Sequence, residues 1–421
     1  MLFSIITPVH KASEKYLQEA YESLSEQTEN WEWILVPNRG GKIPHNISSD
    51  PRIKIRPTND DKGDYNSIGR LKHFASKESR GDVIVELDAD DMLTSDALVE
   101  LRAAFDNPDV MMAYSNSAQF QDETWEPSTY SEYWGWRTRD FKWKNHELKE
   151  MIAFEPSAAS FRRIEWAPNH VRSWRTDAYW KIGGHDARIV MGDDHDICCR
   201  MAIEFGFDAM KHIDKCLYLY RVHDNSSKVF NKVVQDQVQV NYNKYSRDLA
   251  VREATDKNLR KIDLGGQFNS WDGFESVDLV GSDICTDLND LWPFETNSVG
   301  VIRASHIVEH LRDPIHVMNE AYRVLAPGGW LFVDVPSTDG RGAFQDPTHV
   351  SFWNENSFWY YTDKFYAKYL GDAYKGRFQS SRVITWFPTD FEKQHDIPVV
   401  QADLIALKAP YSDRGVGEVL I

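Results

Sequence analysis

Two aspartate clusters have the residue types and spacing that could hold a divalent cation or accept a proton. The first is Asp88, Asp90 and Asp91, directly after the apolar residues 83–85 in "VIVELDADDML". Like charges packed this closely repel one another and are costly to remove from water, so they need a compensating partner. Carboxylates two positions apart, as in Asp88 and Asp90, suit a hard divalent cation that also contacts phosphate oxygens. The alternatives are exposure to water and, for Asp91, the positive end of the next helix.

The second cluster, Asp193, Asp194 and Asp196, precedes the helical pattern "ICCRMAIEFG". The first turn of a helix favours negative charge, so these carboxylates can act as an acidic cap. Capping is compatible with catalysis, because an aspartate at a helix start can also accept a proton from a substrate. His223, in "YRVHDNSSK", has a surface-loop histidine as its simplest interpretation from the residues alone.

The first half of the chain alternates strand and helix patterns, which must position these residues. The strands are "FSIITPV", "WEWILV" and "DVIVELD"; the helices are "SEKYLQEAYESLSEQT", with Ser13 as N-cap, and "TSDALVELRAAF", with Thr94 or Ser95 as N-cap. Such alternation predicts a mostly parallel sheet with helices on both faces. Ligands of these sheets lie beyond the carboxyl ends of the strands, where Asp88 and its neighbours are.

A second α/β series begins at "KIDLGG", after a polar helical stretch that starts near Lys228. It continues through "FESVDLV", "SVGVIRAS", the helix "PIHVMNEAYRVL", which "APGG" should stop, and the strand "WLFVDVP". We therefore predict a first domain at 1–228, a helical linker at 229–258 and a second domain at 259–421.

Composition limits the class of protein. Of the 421 residues 42% are hydrophobic and 13% aromatic, enough for packed cores, and the net charge of −17 disfavours a nucleic-acid partner. The four cysteines lack a disulfide or CxxC spacing, the start has no basic n-region, and no apolar run approaches the roughly 20 residues of a membrane span. We expect a soluble, cytoplasmic protein without an integral membrane segment; the oligomeric state stays open.

Four blocks between residues 2 and 228 resemble the family 2 glycosyltransferases of the GT-A fold. In the family's order they read "SIITPVHKASEKYLQEAYESLSEQT", "GDVIVELDADD", "IGGHDARIVMGDDHDICCRM" and "LYRVHDNSSK". The resemblance implies an α/β fold with a Rossmann-like mixed sheet. It also implies inverting transfer of a sugar from a nucleotide-diphosphate donor to a glycan or other hydroxyl acceptor, with Mn²⁺ or Mg²⁺ as cofactor.

The same resemblance implies roles for single residues. Asp88 would contact the ribose, Asp90 would bind the metal that bridges the diphosphate, and His223 would be a further metal or diphosphate ligand. Asp194 would be the general base, because a hydroxyl attacks an anomeric carbon poorly while it keeps its proton. Pro8 and Asp193 would belong to the donor site.

The segment that would recognise the nucleotide base departs from the family pattern. Members usually carry an aspartate in a "D-D-x-S" turn after the second strand, where this chain has "LVPNRGG". Asn38 could read a base edge, or Asp60 or Asp61 in "TNDDKGD" could substitute. The base therefore stays open.

Aromatic residues are frequent between the two acidic blocks, and such rings stack on the apolar faces of sugars. Their spacing has neither helical nor strand periodicity, which favours loops. We predict that at least two of Trp134, Trp136 and Trp143 line the acceptor site, and that core packing accounts for others.

Residues 260 to about 410 resemble the class I methyltransferases, specifically the small group related to type 11 domains. The matching pieces are "KIDLGG", "FESVDLV", "DICTDLNDLWPFETNSVGVIRASHIVEHLRDP" and "MNEAYRVLAPGGWLFVDVP". The resemblance implies a second Rossmann-like domain that binds S-adenosylmethionine. Gly265 would face the methionine part, Asp278 would bind the ribose, and Asp287 and Leu288 would flank the adenine.

Further cofactor positions implied by the resemblance are Asp263, Gly266 and His306. Contacts to the methyl acceptor would come from His310, Asp346, His349 and Trp353. For His306, Glu309 and His310, a polar helix start beside Asp313 is the alternative.

The glycine turn again departs from the pattern, since Gln267 follows Gly265 and Gly266 where a further glycine is usual. A side chain there could crowd or hydrogen-bond the cofactor. The leading hypothesis is therefore an enzyme that transfers a sugar and methylates the same or a related glycan. The alternative is a glycosyltransferase whose second domain is a degenerate binding or scaffolding module. A nucleotidyltransferase is disfavoured, because "SIITPVHKASEKY" lacks a basic, Gly-rich signature.

Overall fold

The computed structural model describes residues 1–57, 67–223 and 231–408, with only the backbone at position 231. The chain folds into two compact units, the first formed by Met1–Leu249 and the second beginning at Ala250. None of the described helices is both long and apolar enough to cross a membrane.

The first unit is built on one mixed sheet. Its described strands are β1 Leu2–His10, β2 Asn30–Asn38, β3 Ile53–Ile55, β4 Val83–Glu86, β5 Met92–Leu93, β6 Met112–Gln121, β7 Pro127–Ser128, β8 Arg137–Trp143, β9 His146–Ile152, β10 Ser173–Arg175 and β11 Met210–Val222. The helices are α1 Leu17–Ser25, α2 His45–Ser48, α3 Ile68–Ser76, α4 Ala97–Phe105, α5 Thr176–Lys181 and α6 Asp193–Phe205, and α7 Asn231–Asp256 belongs to this unit up to Leu249.

The strand order is β3-β2-β1-β4-β10-β6-β11-β5, and β7 and β9 also pair with β6. The first four strands are parallel, as the α/β alternation predicts. β10 runs antiparallel between β4 and β6, and β5 is antiparallel to β11, so the sheet is mixed.

A chain of hydrogen bonds fixes the loop after β4 to the centre of the sheet. Trp33 on β2 donates its indole N–H to the Thr7 hydroxyl on β1 over 2.8 Å. Thr7 in turn donates to the carbonyl of Leu87 over 2.6 Å. Since Leu87 immediately precedes Asp88, this chain sets where the acidic cluster begins.

Two predicted helix starts are shifted, and one predicted helix end is confirmed to within one residue. The N-cap of α4 is Asp96, not Thr94 or Ser95, because the strand pair β5–β11 extends to Leu93 and delays the helix. Ser13 precedes a 3₁₀ turn, Glu14–Tyr16, and Tyr16 caps α1. In the second unit the helix Pro314–Val324 ends one residue before its predicted end, and "APGG" then lies inside the strand Leu325–Pro336.

The second unit contains β12 Arg260–Leu264, β13 Glu275–Asp278, β14 Ile284–Cys285, β15 Val299–Ser305, β16 Leu325–Pro336, β17 Phe378–Trp386 and β18 Val399–Ala406. Its helices are α8 Pro314–Val324, α9 Gly342–Gln345, α10 Trp359–Thr362, α11 Lys364–Ala367 and α12 Asp390–His395. The order is β14-β13-β12-β15-β16-β18-β17. The first five strands are parallel, and β18 is antiparallel to both neighbours.

Local sequence explains the principal helix of this unit. Asp313 caps α8 by accepting hydrogen bonds from the amides of Ile315 and His316, and Pro314 occupies the first turn, where its missing N–H costs nothing. By contrast, residues 265–274 connect β12 to β13 without a helix. The glycine turn is therefore followed by a loop.

Candidate functional site

The three aspartates after β4 have different surroundings. Asp88 borders a cavity in the first unit. A carboxylate oxygen of Asp90 lies 2.8 Å from Nε2 of His223. Asp91 is buried and accepts hydrogen bonds from the Tyr218 hydroxyl (2.8 Å) and the Arg221 amide (2.7 Å). The proposed capping role of Asp91 is wrong, because its carboxylate ties the loop to β11.

Burial dominates the electrostatics of this cluster. It raises the pKa of Asp88 to about 6, with the charge of Lys72 opposing the shift and that of Asp90 adding to it. It also raises the pKa of Asp91 well above the ordinary value, again with Asp90 contributing. The loop thus holds carboxyl groups that a nearby cation would stabilise in their charged form.

Asp193 and Asp194 occupy the first turn of α6, where Oδ1 of Asp194 accepts a hydrogen bond from the His195 amide over 2.9 Å. Nη2 of Arg172 lies 3.0 Å from a carboxylate oxygen of Asp194. Burial opposes ionisation of Asp194, but the charges of Arg172 and Lys72 outweigh it and lower the pKa. Burial raises the pKa of Asp193. The two neighbouring carboxyl groups are therefore shifted in opposite directions.

A buried ion network centred on Glu86 supports both clusters. Glu86, the last residue of β4, is contacted by Nε of Arg172 (2.8 Å), Nζ of Lys72 (3.0 Å) and Nε2 of His185 (2.7 Å). The Tyr179 hydroxyl lies 2.8 Å from Nδ1 of His185, so it orients the ring toward Glu86. Burial opposes the charge of Glu86, yet Lys72 and Arg172 hold its pKa well below the ordinary value.

Glu86, His185 and Asp193 also have the geometry of a metal-binding group. Lys72, however, places its ammonium 3.0 Å from Glu86 and 3.7 Å from Asp193. That ammonium already supplies the positive charge that a metal would bring. This group is therefore a structural network with a built-in cation.

The cavity beside these residues has a volume of about 510 Å³. Its charged and aromatic lining consists of Lys72, Asp88, Tyr130, Trp134, Trp136, Arg163, Glu165, Trp166, His170, Arg172, Asp193, Asp194 and Tyr220. The guanidinium of Arg163 lies 4.7 Å from the Trp134 ring centre, a cation–π distance.

The structure separates the three tryptophans predicted to bind the acceptor. Trp134 and Trp136 line the cavity. Trp143 instead packs in a hydrophobic cluster with Phe120, Leu148 and Leu219. Its prediction fails on geometry, because Trp143 ends β8 with its ring buried in that cluster and not against the cavity.

The predicted donor residues outside the cavity lie on neighbouring strands. Pro8 on β1 is paired in register with Val36 on β2, and Asn38 ends β2. Both positions are half-buried. Asp60 and Asp61, the other candidates for the base, lie outside the described residues.

In the second unit the carboxyl ends of β12 and β13 bring the predicted cofactor residues together. Gly265 directly follows β12 with φ +74°, and a Cβ there would meet Ile307 at 2.9 Å, so only glycine fits. Asp278 ends β13 and accepts a hydrogen bond from the Leu279 amide over 2.7 Å. Asp263 is fully buried and accepts from Arg303 over 2.6 Å, which makes it a structural anchor of the turn.

Other predicted cofactor positions have little room for a ligand beside them. A Cβ added to Gly266 would meet the backbone oxygen of Asp263 at 2.8 Å, so this glycine allows the tight turn. The side chain of Leu288 is buried in the core, and Asp287 accepts hydrogen bonds from Asn289. The Leu288 side chain therefore cannot flank an adenine, although its backbone is near the strand ends.

Gln267 reaches from the glycine turn to the loop after β13. A Cβ built at Gly281 would lie 2.6 Å from its Nε2 atom. The amide thus spans the two loops that would hold a cofactor.

The segments after β15 and β16 bring together the predicted methyl-acceptor residues. The ring centres of His310 and His349 are 4.9 Å apart, and Asp346 Oδ2 lies 3.9 Å from Nε2 of His349. His306 lies 3.5 Å from Glu309, and that hydrogen-bonding neighbour raises the pKa of His306. Trp353 packs in the core and is not available to a substrate.

Comparison with known proteins gives two matches along the chain. Residues 4–167 match the family described as glycosyl transferase family 2, and residues 226–333 match the family described as methyltransferase domain. The chain carries a family 2 glycosyl transferase domain followed by a methyltransferase domain. Both domains are transferases, and both matches agree with the α/β fold of the unit in which most of the matched residues lie.

Individual relatives cover parts of the chain. The O-antigen biosynthesis protein RfbC of Myxococcus xanthus is 31% identical over 144 residues, which are 30% of this chain and 11% of the relative. The crystal structures of S. aureus TarS 1-349 and of TarS each have a TM-score of 0.41 at 17% and 16% identity. Each match covers 57% of this chain. The matched part is 65% of the TarS 1-349 chain and 39% of the TarS chain.

Sequence reasoning missed the ion network centred on Glu86 beside the cavity of the first unit. Glu86, Lys72, Arg172 and His185 had no assigned role. One signal was present, since Glu86 ends an otherwise apolar strand and a buried carboxylate requires a cationic partner. The partners themselves come from α3, from the residue before β10 and from the loop before α6, and their sequence positions do not reveal that they meet.

Proposed function

We propose that the first unit transfers a sugar from a nucleotide-diphosphate donor to a hydroxyl of a glycan, with inversion at the anomeric carbon. The observation that carries this proposal is one cavity bordered by Asp88, by Asp194 and by Trp134 and Trp136. In it Asp88 contacts the donor nucleoside, Asp194 receives the acceptor proton, and the two indoles stack on the acceptor sugar. The name of the Myxococcus relative supports a polysaccharide acceptor.

The donor side also fits a divalent cation. Asp90 and His223 offer an oxygen and a nitrogen 2.8 Å apart, both only partly exposed, as ligands for Mn²⁺ or Mg²⁺. When bound, the ion would neutralise charge on the leaving diphosphate. The nearby carboxyl of Asp91, tied to Tyr218 and Arg221, keeps the Asp90 backbone in place.

We propose that the second unit binds S-adenosylmethionine at Gly265 and Asp278 and methylates the same or a related glycan. The glycine turn and the ribose-binding aspartate lie at adjacent strand ends, as such a cofactor requires. One observation favours the alternative of a binding module, because Gln267 spans the two loops. Under that alternative its amide occupies space that the cofactor needs.

Incubation of the full chain with both donors and an O-antigen-type oligosaccharide tests the proposal. We expect mass spectrometry to show a hexose or related sugar added only when Mn²⁺ or Mg²⁺ is present, and a methyl group on the glycosylated product. Transfer of a sugar that retains the donor's anomeric configuration would contradict the inverting mechanism. If Gln267→Gly creates methylation that the unsubstituted chain lacks, the second unit is a degenerate module.

A further inference from the structure

Three side chains beyond the strand ends of the second unit carry the ligand atoms of a transition-metal site. Glu309 and His310 belong to the 3₁₀ turn Val308–His310 after β15, and His349 lies in the segment after α9. One carboxylate oxygen of Glu309 and one ring nitrogen of each histidine lie within 4.8 Å of one another. Bonds of about 2.1 Å to one ion put its ligand atoms ~3.5 Å apart, so small side-chain rotations suffice.

The carboxylate of Glu309 has an oxygen that lacks a donor. Its side chain is only 3% exposed, and Oε1 lies 3.5 Å from Nδ1 of His306. Oε2 is buried and receives no hydrogen bond from the residues that the structure describes. Such an oxygen is costly to bury, and a bound cation removes that cost.

The hydrogen bonds of both histidines leave Nε2 available as a ligand. Nδ1 of His349 lies 2.9 Å from the carbonyl of Ala343, which can only accept, so Nδ1 carries the proton. Nδ1 of His310 lies 3.0 Å from the Thr348 hydroxyl, whose own proton is donated to Asp346 over 2.6 Å. Metal-binding histidines are held in this way, with one ring N–H bonded to an oxygen and the other nitrogen free to coordinate.

Backbone hydrogen bonds join the two segments that carry these side chains. The amides of Val350 and Ser351 donate to the carbonyl of Glu309 over 2.8 and 3.0 Å. The Ser351 hydroxyl donates to the carbonyl of Val308 over 2.9 Å. The relative positions of the three ligands are therefore set by the fold and not by the exposed side chains alone.

The charge of this group differs from that of the Glu86 network. In the described part of the chain, no Lys or Arg forms an ion pair with Glu309, whereas Lys72 and Arg172 both contact Glu86. The Glu309 group therefore lacks the protein cation that Lys72 supplies to Glu86, and a metal ion from solution can take that position. Asp346, 3.9 Å from His349, adds a second carboxylate at the border.

We propose that Glu309, His310 and His349 bind a divalent transition-metal ion such as Zn²⁺. Two imidazoles favour such an ion over Mg²⁺ or Ca²⁺, which prefer oxygen ligands. Three protein ligands leave a coordination position open to water or to an oxygen of a substrate, as in catalytic and unlike structural zinc sites. This ion is separate from the metal of sugar transfer proposed for Asp90 and His223.

Titration of the full chain with Co²⁺, followed by visible absorption, tests the site. The chain carries Asp90→Ala so that the first unit's proposed metal site does not contribute. We expect one equivalent to bind with a d–d band that Zn²⁺ abolishes and excess Mg²⁺ leaves in place. His349→Gln and Glu309→Gln should each weaken binding at least about tenfold. The control His316→Gln, on α8, should bind as before.

Absence of Co²⁺ binding to the Asp90→Ala chain, or binding that neither His349→Gln nor Glu309→Gln weakens, would overturn the proposal. Should those variants fail to fold, the Asp90→Ala chain itself gives a second readout. Zn²⁺ should protect His310 and His349 from diethyl pyrocarbonate, mapped by mass spectrometry, while His316 reacts equally with and without it. Equal modification of all three histidines would also reject the site.

Discussion

At the scale of single residues, Asp194 has its charge fixed before any substrate arrives. Arg172 contacts it at 3.0 Å and, with Lys72, outweighs the effect of burial, so the pKa of Asp194 is lowered. An aspartate that is ionised at neutral pH is always able to accept a proton. The ion pair of Oδ2 with Arg172 and the hydrogen bond that Oδ1 accepts from the His195 amide over 2.9 Å together fix the orientation of the carboxylate.

Replacing Asp194 by Asn should reduce kcat for sugar transfer by about 10²–10⁴-fold, the usual contribution of a positioned base. Donor binding should be nearly unchanged, because the amide keeps the shape of the carboxylate. Turnover assays and calorimetric donor titrations measure the two effects. Asp208→Asn, an exposed aspartate of the same unit, is the control. Loss of donor binding would show that Asp194 is a ligand and not the base.

Asp90→Ala should abolish the dependence of donor affinity on Mn²⁺ or Mg²⁺. The reason is the 2.8 Å contact with His223, which makes the pair one binding position for a cation. The check is the donor Kd with Mn²⁺ and with a chelator. The two values should differ for the unsubstituted chain and agree for the variant. A metal effect that survives in Asp90→Ala would place the ion elsewhere.

At the scale of elements, Glu86 joins four parts of the first unit. It ends β4 and contacts Lys72 on α3, Arg172 directly before β10 and His185 in the loop that leads to α6. The same Arg172 reaches Asp194 in the first turn of α6. Stability and the geometry of the site therefore depend on one network.

Glu86→Gln should lower the free energy of unfolding at pH 7 by about 3–5 kcal/mol, because it leaves buried cations without their main partner. The folded-state pKa of Glu86 lies below its usual 4.5, so its contribution is present above pH 4.5 and is lost as the pH falls below that value. Urea unfolding of the unsubstituted chain at pH 7 and below 4.5 should show this loss, and the variant should show less of it. Glu204→Gln, in an exposed pair with Lys181, should cost about 0–1 kcal/mol. An equal pH dependence in both chains would contradict the assignment.

The sequence predicts the elements of this fold better than their ends. Apolar runs such as residues 83–85 identify the strands, because a strand buried on both faces needs continuous hydrophobicity. The antiparallel β10 has only three residues and carries little pattern of its own. Asp96, not Thr94, caps α4, since β5 pairs with a strand more than a hundred residues away.

For the candidate site, too, the sequence predicts some features and misses those that depend on tertiary contacts. Asp88, Asp90, Asp193 and Asp194 are recognisable from their blocks, whereas the packing of Trp143 depends on the tertiary partners Phe120 and Leu219. Short-range pattern therefore gives the residue types of the site. Long-range contacts decide which of them face the cavity.

At the scale of the whole molecule, each unit contains its own hydrophobic core. Ligands that bind one unit should therefore stabilise that unit by mass action. In calorimetry of the full chain, a nucleotide sugar with Mn²⁺ should raise one unfolding transition and S-adenosylmethionine another. At a hundredfold excess over Kd the stabilisation is about 2.7 kcal/mol. If S-adenosylmethionine shifts neither transition at millimolar concentration, the second unit is a binding module.

Lys72 affects how far the first unit depends on divalent metal ions. Its ammonium lies between Glu86 and Asp193, so the interior of the first unit carries its own permanent counter-ion. The Glu86 network consequently needs no metal ion to balance its charge, and a chelator should remove the proposed metal-dependent sugar transfer without unfolding the first unit. Under that proposal, scarcity of divalent ions would leave the first unit folded but inactive until the ions return.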